Sequence, residues 1–177
     1  MNKEGRSAMY KINDFIIYSS TGVCKIEDIR SESFNGESRK YYILKPIYSN
    51  VSTVYAPCGT SEERMKEIIS PEDIIELIHA IPDEEVCWID DDTRRKDRFS
   101  SIIKNGSREE LMLMIKTLYF KREERMKAGK RLHNSDEKLM KDAERILYEE
   151  FALVLNIKPD DVTAFISKEL GDELPEG

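Results

Sequence analysis

The sequence is short of the residues from which most active sites are built. It has two histidines, His79 and His133, and three cysteines, Cys24, Cys58 and Cys87, in 177 residues. All five stand apart, with no C-x-x-C, so a zinc site lacks its clustered ligands. A Ser-His-Asp or Cys-His arrangement is equally hard to assemble. The glycine-rich phosphate loops G-x-x-x-x-G-K-[ST] and G-x-G-x-x-G are missing, as are H-E-x-x-H and G-x-S-x-G. Apolar runs stop far short of the ~20 residues that span a bilayer. The opening Met1-Asn2-Lys3-Glu4-Gly5-Arg6-Ser7-Ala8 is polar and lacks the apolar core of a signal peptide. The expectation is a soluble, cytoplasmic protein without metal or cofactor that is not an enzyme.

Charge is plentiful and unevenly spread. The chain carries a net −7, which argues against indiscriminate coating of nucleic acid. Residues 1–92 hold 10 Lys/Arg against 18 Asp/Glu, residues 93–150 hold 16 against 11, and residues 151–177 hold 2 against 6. The basic middle begins at the stretch Trp88-Ile89-Asp90-Asp91-Asp92-Thr93-Arg94-Arg95, which contains the only tryptophan. Three consecutive acids can bind Mg²⁺ when further ligands and a phosphate complete the sphere. The simpler reading is an acidic linker that supplies negative charge to the N-terminus of the next helix.

The segment up to Pro57 reads as β. Phe15-Ile16-Ile17-Tyr18 is rich in strand formers, and Val23 to Ile29 alternates apolar and polar with period two. Asn35-Gly36 is the strongest short hairpin signal. Tyr41-Tyr42-Ile43-Leu44 and Ser52-Thr53-Val54-Tyr55 are further strands, and tight turns between such short strands point to a small barrel. Thr60-Ser61-Glu62-Glu63 has the spacing of a capping box, which predicts one or two helical turns over 64–69. Ser70-Pro71-Glu72-Asp73 opens a helix with Ile74, Ile75, Leu77, Ile78 and Ile81 on its apolar face.

Beyond Pro82 the pattern is helical throughout. A helix over 93–105 carries Phe99, Ile102 and Ile103, with Gly106 as its C-terminal stop. Ser107-Arg108-Glu109-Glu110 is a second capping box, followed by Leu111, Met114, Ile115 and Leu118 at i, i+3, i+4, i+7. Asn134-Ser135-Asp136-Glu137 starts a third helix, and Lys158-Pro159-Asp160-Asp161 a short last one. The tail from Gly171 is expected to fray. Arg94, Arg95 and Arg98 fit one broad helix face. Lys121, Arg122 and Arg125 form a second basic group, and Lys138, Lys141 and Arg145 a third. Bases on adjacent helices can neutralise phosphates across a groove. Interleaved Glu109, Glu110, Glu123, Glu124 and Asp142 keep ordinary solvated faces equally open.

The order of these features resembles the CarD/CdnL family of bacterial RNA polymerase-binding regulators, whose barrel also occurs in the transcription-repair coupling factor. The resemblance is carried by Tyr10 to Tyr18, Thr21-Gly22-Val23, Asn35-Gly36, Tyr41 to Leu44 and Ser52 to Pro57. It continues through Arg94-Arg95, Lys104-Asn105-Gly106, Leu118, Leu139, Ala143 and Phe151-Ala152-Leu153. It implies an α+β protein: an N-terminal Tudor- or SH3-like barrel over residues 9–69, then an all-helical domain of four to five helices over 70–170. Residues 70–92 would form a connecting helix and linker. The barrel would dock on the lobe of the polymerase β subunit through Ser52, Thr53, Val54 and Tyr55, with Glu32 beside them. The family commonly places arginine at the positions of Glu32 and Tyr55. The helical domain would meet promoter DNA without sequence preference, through its minor groove and phosphates, at Trp88, Arg94, Arg95, Arg98, Lys138 and Lys141. It would hold the open promoter complex, and no membrane is involved. The family's aromatic wedge falls on Asp92 here, so Trp88 is either a displaced wedge or a packing residue between barrel and helices. An alternative is a polymerase-binding module that no longer grips DNA.

Overall fold

A computed structural model describes residues 10–171. The polar opening, and the acidic tail after Gly171, lie outside the described residues. The chain forms two compact units, Met1–Ile68 and Ile69–Gly177.

The first unit is an antiparallel sheet of five strands: β1 (Phe15–Tyr18), β2 (Gly22–Phe34), β3 (Glu37–Pro46), β4 (Val54–Pro57) and β5 (Met65–Glu67). Their order is β4-β3-β2-β1-β5, so β4 and β5 stand at the edges. Asn35 and Gly36 both take positive φ, 53° and 83°, and close the β2–β3 hairpin in two residues. That is the conformation the right-handed twist of a hairpin demands. The β2–β3 register shifts between Ile26 and Asp28. A bulge of this kind bends a strand, and the barrel-like sheet wraps a core of Ile16, Tyr18, Cys24, Ile26, Tyr42, Leu44, Ala56 and Met65.

Two local expectations fail here. Residues 62–64 form a 3-10 turn, but Met65–Glu67 is a strand on the edge of β1, with Tyr18 opposite Met65. Strand pairing and burial of Met65 override the local helical signal. The Thr60–Glu63 capping box does not form. Its neighbour Glu62 instead accepts hydrogen bonds from the Gly59 amide at 2.9 Å and the Tyr42 hydroxyl at 3.0 Å, and Ser61 donates to the Pro57 carbonyl. The predicted strand from Ser52 is also too long: β4 begins at Val54, and Ser52 and Thr53 precede it, exposed.

The second unit has five helices: α1 (Pro71–Ala80), α2 (Asp92–Asn105), α3 (Arg108–Lys127), α4 (Asn134–Leu155) and α5 (Val162–Glu169). Ser70 and Ser107 each close a reciprocal capping box, with Asp73 and Glu110. Phe99 and Ile102 of α2, Leu111, Met114, Ile115 and Leu118 of α3, and Ala143, Ile146, Leu147 and Phe151 of α4 are buried. Gly106 ends α2 with φ of −67°, not the left-handed value. Its glycine identity answers a close approach, since a Cβ there would lie 2.6 Å from the Ile102 carbonyl oxygen. A partly buried pair, half-buried Arg108 and buried Glu150, joins α3 to α4 at 2.8 and 2.7 Å, and Glu150 also accepts from the Ile69 amide. Among the described residues no helix is long and apolar enough to cross a membrane.

Candidate functional surfaces

Strand register decides which side chains the sheet turns outward. Residues directly opposite in an antiparallel pair share a face, and each strand alternates. Tyr42, opposite Ala56 and Ile29, faces the core. Its neighbour Tyr41, opposite Arg30 and Pro57, must face outward, as must Glu32, Phe34 and Tyr55. Phe34 and Tyr55 are 48% and 42% exposed. Three rings meet edge to face: Phe34 and Tyr41 at 5.4 Å, Phe34 and Tyr55 at 5.8 Å, Tyr41 and Tyr55 at 6.3 Å between centroids. Aromatic pairs prefer this geometry, so the three hold one another in place on an outer surface. Beside them Arg30 bonds Glu32 at 2.6 Å and Asp28 at 3.3 Å. The Glu32 hydrogen bond, and to a lesser degree the Tyr55 hydroxyl, raise the Arg30 pKa. β4 pairs with β3 on one side, and among the described residues no strand covers its other edge.

Of the five predicted docking residues, Glu32 and Tyr55 turn strand side chains onto this surface, while Ser52 and Thr53 precede β4. Val54 lies opposite Leu44 and packs its side chain against the core, with its backbone on the edge strand β4. Glu32 is on the outer face, tied to Arg30. Phe34 and Tyr41 were not among the predicted docking residues. Phe34 reads in sequence as a hairpin residue, and only the pairing of strands separated in sequence brings it to Tyr55.

The second surface surrounds Trp88. Residues 85–90 have no regular structure, yet both ends are tied down. Lys116 Nζ donates to the carbonyls of Ile81, Pro82 and Glu84 at 2.9, 3.0 and 2.6 Å. Arg95 donates to the carbonyls of Ile89 and Asp90 at 2.8 and 3.4 Å. The Arg95 guanidinium lies 4.2 Å from the centre of the Trp88 ring, and Lys121 Nζ lies 5.1 Å from it. Cation–ring contacts of this kind are worth ~0.5–2 kcal/mol, more as they are desolvated. Trp88 is half-buried and held against the bases of its own unit.

Arg95 is the centre of this cluster and corrects the expected basic face. It is 1% exposed, and its fork meets Asp136 at 3.1 and 2.9 Å, with Asp92 at 2.5 Å. A guanidinium so enclosed offers no donor to a phosphate. Burial works against its charge, and Asp136 and Asp92 overcome that, raising its pKa. In return the Arg95 hydrogen bond and charge lower the Asp92 pKa. Asp136, which reads as a capping residue of the third helix, is fully buried. His133 is the residue preceding α4, and no side chain caps there. The acid triplet is thereby accounted for: Asp91 caps α2 by accepting from the Arg94 amide at 2.8 Å, Asp92 pairs with Arg95, and the Asp90 carbonyl accepts from Arg95. Among the described residues there is no group of three or more metal-ligating side chains.

Arg94 and Arg98 are exposed on α2, and Arg98 pairs with Glu110 at 2.8 Å. Lys138 and Lys141 are exposed on α4 and line a groove with residues of α3.

The described residues thus present a small bent sheet with an ordered aromatic face and an edge that no described strand covers, and a helical unit with exposed bases. Residues 10–69, the described part of the sheet unit and one residue beyond it, match the family described as the CarD-like/TRCF RID domain. The chain is also similar to a Bacillus subtilis (strain 168) protein named "Putative transcription factor YdeB". The two are 28% identical over 167 residues, spanning 89% of this chain and 99% of that protein.

Proposed function

We propose that the protein is a bacterial transcription regulator that docks on the RNA polymerase β-subunit lobe with the sheet unit and holds the open promoter complex with the helical unit. The observation that carries the reading is the Phe34–Tyr41–Tyr55 face beside the uncovered edge of β4, in the domain matched by the family. An exposed edge takes an added strand, with backbone bonds giving affinity and neighbouring side chains giving choice of partner. Ser52 and Thr53 lead into that edge and contribute backbone. Where the family commonly carries arginines, at Glu32 and Tyr55, this chain keeps a guanidinium on the same face through Arg30.

In this reading Arg94, Arg98, Lys138 and Lys141 are the DNA contacts, and Arg95 positions Trp88. No bond is made or broken. The regulator binds the open state better than the closed one and shifts the equilibrium by that difference. The test is the lifetime of open promoter complexes. Wild type lengthens it, and Arg94→Ala/Arg98→Ala loses most of the effect. Equal lifetimes with wild type and variant overturn the DNA part. A second reading, docking without DNA contact, draws on the burial of Arg95 and the Arg98–Glu110 pair. It predicts promoter-complex binding no more salt-sensitive than binding to polymerase alone, because phosphate contacts release counterions and docking alone does not.

A further inference from the structure

α3 and α4 enclose an open groove of about 740 Å³. Arg122, Arg131, Lys138 and Lys141 line it, against two acids, Glu137 and Asp142. Among the described residues, Arg131, Lys138 and Lys141 form no ion pair. Lys141 and Arg122 also act on the nearby Glu144 carboxylate, but bases not locked into close ion pairs along one groove can still receive an anion. Lys138 and Lys141, three apart on α4, share a helix face.

The groove continues into exposed aromatic surface. Arg122 lines the groove and places its guanidinium 5.3 Å from the centre of the Tyr119 ring. Tyr119, Arg122 and Met126 are spaced at i, i+3 and i+7, one stripe of α3. Tyr119 and Phe120 are 45% and 52% exposed, and their rings meet edge to face at 5.9 Å. Arg122, which lines the groove and meets the Tyr119 ring, links the basic lining to these two adjacent exposed rings. Phosphates along one strand fit the cations, and an unstacked base fits the rings, the combination that single-strand-binding proteins use. A duplex offers its phosphates but keeps its bases stacked.

We propose that the α3–α4 groove binds single-stranded nucleic acid, with the backbone on Arg131, Lys138 and Lys141 and a base stacked at Tyr119. This rests on the reading that the helical unit contacts DNA, and names the form of nucleic acid that one of its surfaces takes.

The test is fluorescence anisotropy of the full chain with a labelled single-stranded DNA, the same sequence as RNA, and the same sequence as duplex. The expected result is tighter binding of a single strand than of the duplex. Tyr119→Ala should weaken it ~5- to 150-fold, the range of one lost stack. Tyr119→Phe should retain it. Lys138→Ala/Lys141→Ala should weaken it and flatten the salt dependence by about 0.7 per phosphate contact. The DNA and RNA arms identify which strand is taken. Duplex bound as tightly as single strand, or affinity unchanged in Tyr119→Ala, overturns the proposal. If the duplex still binds in a manner that depends on Arg94 and Arg98, the DNA-contact reading survives that failure. If no arm binds, both fail.

Discussion

Asp136→Asn tests whether the Trp88 cluster is held by a buried pair. Arg95 and Asp136 are 1% and 0% exposed, joined by two hydrogen bonds at 3.1 and 2.9 Å. An amide removes the negative charge and turns one acceptor into a donor that faces a donor. Breaking a buried pair from one side costs ~3–5 kcal/mol, because the other charge stays buried. Here Asp92 and the carbonyls of Ile89 and Asp90 remain, which places the loss near ~3 kcal/mol. With a urea slope of ~1–3 kcal/mol/M, the unfolding midpoint falls by at least ~1 M. Trp88 is the only tryptophan, so its fluorescence follows both the unfolding and the local change. Asp92→Asn is the control. It removes a partner of the same guanidinium, but that side chain is 64% exposed and screened by solvent, so it costs much less. Equal losses in the two variants, or an unchanged midpoint and emission in Asp136→Asn, would refute the reasoning.

Two further outcomes follow from the packing. Burial, reinforced in Tyr42 by the Glu62 carboxylate and in Tyr148 by Glu144, pushes both phenols up to about 12. The folded state holds these protons more tightly than the unfolded chain, so their stabilisation is complete below pH 10, is lost as pH rises from about 10 to about 12, and is read by tyrosinate absorbance beside unfolding curves; full titration near 10 in the folded protein would contradict it. Gly106→Ala meets the Ile102 carbonyl at 2.6 Å, and the ~1–3 kcal/mol of overpacking exceeds the ~0.4–1 kcal/mol that alanine gains by restricting the unfolded chain; thermal denaturation should show a net loss, and a gain would mean that α2 shifts freely there.

Much of the fold was readable because local and tertiary signals agree. Asn35-Gly36, the Ser107–Glu110 box and the Leu111–Leu118 stripe are each short-range statements that packing then uses. Met65–Glu67 reads as helical in sequence because its strand exists only by pairing with β1, about fifty residues earlier in the chain. The surfaces were less readable for the same reason. Phe34 and Tyr41 join Tyr55 only through strand register, which the linear order of residues does not show. Arg94 and Arg95 look alike as neighbours in sequence, yet a helix turns successive residues ~100° apart, and one is exposed while the other is buried. Its partner Asp136 sits 41 residues away behind a loop, where sequence shows only an acid at the start of a helix.

The central claim is tested most directly by titrating the full chain against an isolated RNA polymerase β-lobe fragment. The account predicts a defined complex that Tyr55→Ala and Phe34→Ala each weaken substantially, while Lys138→Ala/Lys141→Ala leaves it unchanged. No complex with wild type, or equal affinity in wild type and Tyr55→Ala, would contradict it.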